Sequence, residues 1–194
     1  LKGKITEPDI SINFNVDYPH YKGIRIREIW EGNIQNKKNK FLLNMKNRYS
    51  PIPSFLSIKF DSKFKLDNVS FSRVFNSNKG TLGVVKENNN YVWSADNFPL
   101  DELELSIGNN QFDRIKGIIN GSGTISSDQS FIDGRLAWSL GKYRNIELDN
   151  SLFDFSFKEN SFIFNSSLYP IDGGIIEAEY NSNKSNLINL DFKN

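Results

Sequence analysis

The chain has 194 residues, with 24 Lys and Arg against 23 Asp and Glu for a formal net charge of +1. That length suffices for one domain with a core, and no Pro/Ser linker divides it, so a single β-rich segment is expected over residues 1–194. A charge near zero supplies no summed field to gather nucleic acid or an anionic membrane; the absence of cysteine excludes disulfides and thiolate metal sites, and the lone His20 cannot hold zinc by itself.

Leu1-Lys2-Gly3-Lys4-Ile5 carries no initiator methionine, signal h-region or anchor, and no apolar run approaches the roughly 20 residues of a membrane-spanning helix. The chain therefore reads as excised from something longer. Its lack of cysteine fits an oxidising, extracytoplasmic compartment.

From Ile10 to Tyr18 apolar and polar residues alternate without fault until Pro19, which has no N–H to give to a ladder, so a half-buried strand is expected there. Ile24-Arg25-Ile26-Arg27 begins a second strand that runs to Ile29 and Trp30 with a slip at Glu28, and Glu31-Gly32-Asn33 reads as its exit. Asn36-Lys37-Lys38-Asn39-Lys40 reads as a solvated loop in preference to a phosphate or lipid-headgroup patch. Phe41-Leu42-Leu43-Asn44-Met45 is too short to distinguish strand from helical turn, and Pro51 and Pro53 end it. Leu56, Ile58, Phe60, Phe64 and Leu66 form the longest row, opposite lysines 59, 63 and 65, which must be solvated. Shorter strands carry Val69 and Phe71, Leu82 and Val84, then Tyr91 and Trp93; Phe98-Pro99-Leu100-Asp101 makes a stiff corner before Leu103, Leu105 and Ile107.

The clearest signal is a central hairpin. Ile115, Gly117, Ile119, Gly121, Gly123 and Ile125 occupy one row; Ser126-Ser127-Asp128-Gln129-Ser130 reverses the chain; Ile132, Gly134, Leu136, Trp138 and Leu140 resume the row. Further rows follow at Phe153, Phe155 and Phe157, then Phe162 and Phe164, then Ile176, Ala178 and Tyr180 beyond a break at Leu168 to Gly174, and finally Ile188, Leu190 and Phe192. No amphipathic helix is predicted. Alternation throughout means one oily and one wet face on each strand, and the oily face must be hidden by another sheet, a ligand, or both.

No catalytic constellation is expected. Glu177 and Glu179 share a strand face, but the solvated one; Gly121-Ser122-Gly123-Thr124 has no following Lys-Ser/Thr and opens no helix; a triad built on His20, beside Pro19 in a turn, is disfavoured. No metal and no cofactor are predicted. Gly117, Gly121, Gly123 and Gly134 fall in the oily row, where they either leave a notch for a ligand or relieve crowding and curve the sheet. Sixteen phenylalanines, many in inward rows, fit either a closed sandwich core or an open trough lined for lipid.

The succession Pro99-Leu100-Asp101-Glu102-Leu103-Glu104-Leu105, Ile118-Ile119-Asn120-Gly121-Ser122-Gly123-Thr124-Ile125-Ser126, Ile132-Asp133-Gly134-Arg135-Leu136, Tyr143-Arg144-Asn145-Ile146 and Leu168-Tyr169-Pro170-Ile171-Asp172-Gly173-Gly174-Ile175-Ile176 resembles the TamB family of bacterial envelope proteins, the translocation and assembly module, and especially its cyanobacterial members and chloroplast relatives. The resemblance covers about the second half of the chain. It implies an internal or C-terminal-region fragment of a long periplasmic bridge, anchored in the inner membrane and meeting an Omp85-class outer-membrane barrel through parts absent here. It also implies a taco-like trough that carries phospholipid toward the outer membrane and assists outer-membrane protein assembly, with no enzymatic step.

The expected fold is thus all-β: an elongated curled antiparallel or mixed sheet, a β-taco or β-solenoid-like trough with an apolar interior, with a closed β-sandwich as the alternative. Phospholipid acyl chains would be shielded by Leu56, Ile58, Phe60, Phe64, Leu66, Leu136, Trp138, Leu140, Phe153, Phe155, Phe157, Phe162 and Phe164. The competing function is an adhesin or carbohydrate-binding module in which Trp30 or Trp93 stacks on sugar. There the same rows would be dry core.

Overall fold

Strict alternation with Ser and Asp at the reversal produces the longest hairpin of the protein, Phe112–Ser126 against Phe131–Tyr143. One carboxylate oxygen of Asp128 accepts from the Ser126 and Ser130 hydroxyls at 2.6 and 2.7 Å and from the Ser130 N–H at 3.1 Å. Such local side-chain bonds are why these residues favour turns. The structure is a computed structural model that describes residues 10–21, 23–37, 40–106, 112–128, 130–184 and 187–193. The expectations placed on Leu1 to Ile5, Lys38, Asn39, Ile107 and Gln129 lie outside the described residues.

Among the described residues seventeen strands make up one sheet, and every pairing between them is antiparallel. In chain order they are β1 (Ile10–Asp17), β2 (His20–Tyr21), β3 (Ile24–Ile26), β4 (Ile29–Lys37), β5 (Lys40–Arg48) and β6 (Ser54–Phe60). Next come β7 (Leu66–Phe75), β8 (Asn78–Glu87), β9 (Asn90–Pro99), β10 (Leu103–Ser106), β11 (Phe112–Ser126) and β12 (Phe131–Tyr143). The last are β13 (Ile146–Leu148), β14 (Ser151–Lys158), β15 (Ser161–Leu168), β16 (Ile175–Asn181) and β17 (Asn189–Lys193). The main ribbon runs β1-β4-β5-β6-β7-β8-β9-β11-β12-β14-β15-β16-β17. It is all-β and is not closed into a barrel, in keeping with a curled sheet.

Two local expectations are corrected, and one reading left open is settled. Glu31, Gly32 and Asn33 are the middle of β4, because Gly32 gives room to the Phe14 ring, which lies 2.1 Å from where a Cβ would stand. Phe41 to Met45 belongs to strand β5. The long row from Leu56 to Leu66 is two strands: Asp61 accepts from the Lys63 and Lys65 N–H groups at 2.8 and 2.9 Å and turns the chain, with Phe64 at φ 58°.

The curl is set at one end of the strands. On a flat sheet β4 and β7 would lie about 14 Å apart, three spacings of roughly 4.8 Å. Yet the rings of Trp30 on β4 and Phe71 on β7 meet edge-on at 5.8 Å, and Phe71 meets Phe98 of β9 at 5.0 Å. β11 makes this possible by changing neighbours: residues 112–115 pair with β10 and residues 118–126 with β9, the switch falling at a bulge where Gly117 has φ 114°. Glycine adopts that backbone without the Cβ clash of other residues. β10 in turn pairs with β3, which leads almost directly into β4, so the curl is shut at this end. Trp30, Phe71, Ala95, Phe98, Leu100, Leu103 and Ile115 fill it, with Ile26, Met45, Leu56, Leu82 and Ile119 against them.

Arg73 is sealed beneath this cluster. It is fully buried, and its guanidinium donates to Pro99 O at 3.0 Å, Ser54 Oγ at 3.2 Å and Glu28 Oε1 at 3.3 Å. The phase slip at Glu28 thus delivers a carboxylate to the interior, where it also accepts from Ser50 Oγ at 2.6 Å. Burial pushes the Arg73 guanidinium down from its ordinary value and the Glu28 charge opposes that shift.

Candidate functional site: the apolar face

Because side chains alternate between faces, the cross-strand register decides which residues share a surface. One row on the inner face runs Ile12, Ile34, Leu43, Ile58, Val69, Val84, Trp93, Gly123, Gly134, Phe155, Phe164, Tyr180, each directly opposite the next. Below it, nearer the shut end, runs Phe14, Gly32, Met45, Leu56, Phe71, Leu82, Ala95, Gly121, Leu136, Phe153, Ser166, Ala178, Leu190. Between these two rows, on the opposite face, lie Asn13, Asn33, Asn44, Ser57, Ser70, Gly83, Ser94, Ser122, Arg135, Asp154, Asn165 and Glu179. Along these rows one face of the ribbon is therefore predominantly oily and the intervening row of the other face polar, although flanking rows of that other face also carry Leu42, Phe55, Val85, Val92, Leu152 and Ile163.

Burial of the oily face is uneven. Near the shut end Trp30 and Phe98 are 1 % and 2 % exposed, whereas Ile12, Ile34 and Phe162, away from it, remain 53 %, 37 % and 38 % exposed. Leu43, Ile58, Val69, Val84, Phe155 and Phe164 are half-buried. Among the described residues no second sheet covers these rows.

The predicted lining residues divide accordingly. Leu56, Ile58, Phe60, Leu136, Trp138, Phe153, Phe155, Phe157, Phe162 and Phe164 all lie in strands on this face, Phe157 directly opposite both Ile132 and Phe162. Leu66 opens β7 opposite Phe60, across an irregularity in the ladder. Two residues do not fit. Phe64 belongs to the turn after β6, 65 % exposed and stacked on Phe41 with ring centroids 3.8 Å apart. Leu140 falls where the β11–β12 register slips; it has φ 52° and stands 68 % exposed, out of the row.

The glycines do not leave an empty notch. Trp93 and Phe155 flank Gly123 and Gly134 in the same row, and their rings lie nearly parallel, 10° between planes and 6.1 Å between centroids. A Cβ on Gly134 would come within 2.5 Å of Trp93 Cζ2 and 2.8 Å of Phe155 Cζ; one on Gly123 would meet Trp93 Nε1 at 2.5 Å and the Asp133 carbonyl at 2.1 Å. At Gly121 the obstacle is the Arg135 carbonyl at 2.4 Å. Gly117 lies beneath Trp138, whose indole N–H donates to Lys116 O at 2.9 Å. The glycines are a bare floor on which the protein's own rings rest.

Trp30 cannot stack on sugar, since it is enclosed by the core, and Trp93 faces the oily row, not the polar one. Glu104 is buried and accepts from Arg25 Nε at 2.6 Å. Glu177 bonds Lys193 at 2.6 Å on the wet side. Sequence reasoning missed the lining residues of the first strands, Ile12, Phe14, Ile34 and Leu43, and also Val69, Val84 and Trp93. Their alternation was visible, but their alignment into one row depends on register.

Among the described residues no helix is long and apolar enough to cross a membrane. No family model, no curated protein and no solved structure matches the chain.

Proposed function

We propose that this chain is a segment of a TamB-like bridge in the bacterial cell envelope, working in the periplasm, and that it shields phospholipid acyl chains along its oily face. The observation that carries the reading is the unbroken apolar row from Ile12 on β1 to Tyr180 on β16, filled only toward the shut end and otherwise left half-open. A sheet that needed only stability would cover that surface with a second layer.

The energetics suit the task. Each methylene withdrawn from water contributes about 0.8 kcal/mol, so ten of them met by the row are worth on the order of 8 kcal/mol. At roughly 4.8 Å per strand the row extends on the order of 50 Å, which supports sliding along a wall and not capture in one pocket. Such a wall has no catalytic residue, and an Omp85-class barrel would be met by other parts of the parent protein.

The test is native mass spectrometry of the purified chain offered palmitate and a phosphatidylglycerol. Lipid adducts in the wild type that vanish in Leu136→Asp and Phe155→Asp, with far-UV circular dichroism unchanged, are the expected result. No adduct in the wild type, or unfolding by both substitutions, overturns the proposal in favour of a packed core.

A further inference from the structure

One edge of the ribbon is bare. Among the described residues β1 has a single paired neighbour, β4, and the ladder between them runs from Ile10 to Asp17 without a register shift. Tyr18 donates its N–H to the Glu28 carbonyl at 3.0 Å, which sets the phase of that ladder. The even-numbered residues of β1 bond to β4, and the N–H and C=O groups of Ser11, Asn13, Asn15 and Asp17 point away from it. All of these outward-bonding residues are exposed.

An unpaired row of this kind is a template for another strand, and proteins usually blunt it with a lysine, a proline or a bulge. β1 has none of these, and its single charge is Asp17, at the end that lies toward Trp30. Its polar side chains are drawn back from the edge: Asn33 of β4 donates to Ser11 Oγ at 2.9 Å and to Asn13 Oδ1 at 2.7 Å. The far edge of the ribbon is different. β17 is only five residues long and carries Asp191 and Lys193, the latter bonded to Glu177.

β1 is also complementary to itself. Laid antiparallel on a second β1 about Asn13, Ile10 faces Val16, Ser11 faces Asn15, Ile12 faces Phe14, and Asn13 faces its own copy. Oily residues then meet oily residues, hydroxyl and amide groups meet amides, and no charge opposes another. The outward groups of Ser11, Asn13 and Asn15 are the ones this pairing joins, through roughly six backbone hydrogen bonds. A two-fold axis perpendicular to the sheet leaves the oily face of both copies on the same side.

We infer that β1 is a self-association edge: two copies of this chain pair antiparallel through Ile10 to Val16, centred on Asn13, into one continuous sheet. The inference goes beyond lipid shielding and does not depend on it, although the pairing carries the oily rows of one copy into the next. A single strand pair buries less than the roughly 800 Å² per partner of a standard stable interface, so half-association is expected on the order of 100 µM.

Sedimentation equilibrium of the full chain between about 5 and 500 µM reads the association, and the weight-average mass is expected to rise toward twice that of the monomer. Asn13→Pro removes an outward N–H that β4 does not use, and Asn13→Lys brings two like charges together across the axis. Each should weaken association at least about tenfold, with far-UV circular dichroism and the urea midpoint unchanged. Because the chain has no cysteine, mild oxidation of single-cysteine variants maps the register: Asn13→Cys should cross-link fastest, ahead of Ser11→Cys, and Asn189→Cys on β17 not at all. Should Asn13→Pro unfold, Asn13→Lys and the cross-linking order still decide. A wild type that stays monomeric throughout overturns the inference, as does a dimer that Asn13→Lys leaves intact. Cross-linking that is fastest through Asn189→Cys assigns the association to the other edge and overturns it too.

Discussion

The contrast between a filled end and an open wall can be tested with two phenylalanines of the same chemistry. Phe98 is 2 % exposed and packs edge-on against Phe71; Phe162 is 38 % exposed and meets Tyr180 at 6.0 Å. Removing Phe98 loses the transfer free energy of the ring and leaves an enclosed cavity, together about 3–5 kcal/mol. Removing Phe162 loses only the hidden part of a transfer term of about 1.5–3 kcal/mol, so roughly 1–2 kcal/mol, and leaves no cavity because solvent already reaches the site. With a urea slope of about 2 kcal/mol per molar, Phe98→Ala lowers the unfolding midpoint by about 2 M and Phe162→Ala by about 0.5–1 M. Equilibrium urea unfolding followed by far-UV circular dichroism reads both. Equal drops for the two variants would show that Phe162 sits in a dense core, and the open-wall argument would be lost.

Three further outcomes follow from particular contacts. Gly123→Ala, which drives a Cβ into the Asp133 carbonyl, is expected to cost about 2–3 kcal/mol in urea unfolding, more than Gly134→Ala, which meets only rings that can shift; a near-UV circular dichroism change confined to aromatic bands should mark the latter. Arg73→Met leaves the Glu28 carboxylate buried, with one oxygen already unpartnered, and should cost about 3–5 kcal/mol, part of which Glu28→Gln restores; a double-mutant cycle with no coupling refutes the pairing. The Asp128 carboxyl is lowered from 3.8 to about 2, first by the Ser126 hydroxyl and then by Ser130. Because folding depresses it, the contribution of this turn is complete above about 3.8 and drains away as pH falls toward about 2; a carboxyl titration by NMR should find that value, and Ser126→Ala should return it toward the ordinary one.

The strands were legible in the sequence, and their closure was not. Alternation located the hairpin from Ile115 to Leu140 and the rows at Phe153 and Phe162, because a period of two is a local property of the chain. The split between β6 and β7 was missed because Asp61 turns the chain through its side chain, while Phe60, Phe64 and Leu66 keep the appearance of an unbroken row. Leu140 was misplaced for a related reason: a bulge inserts a residue without any mark in composition, and every later residue changes face. The slip at Glu28 was visible, but its cause, a guanidinium forty-five positions away, was not.

Closure and openness are here produced by the same strand. The lower part of β11 pairs with β10 and, through it, with β3, which pulls β4 and β7 to within ring contact and squeezes the lower rows into a core. Its upper part pairs with β9 and β12, whose next neighbours are simply further strands of the ribbon, so nothing draws the upper rows together. Gly117 separates the two regimes, and Trp138 lies over it as the last ring of the packed region. Among the described residues the β10 ladder comprises Leu103 to Ser106, and Ile12, Ile34 and Phe162, which lie on the upper rows, remain 53 %, 37 % and 38 % exposed.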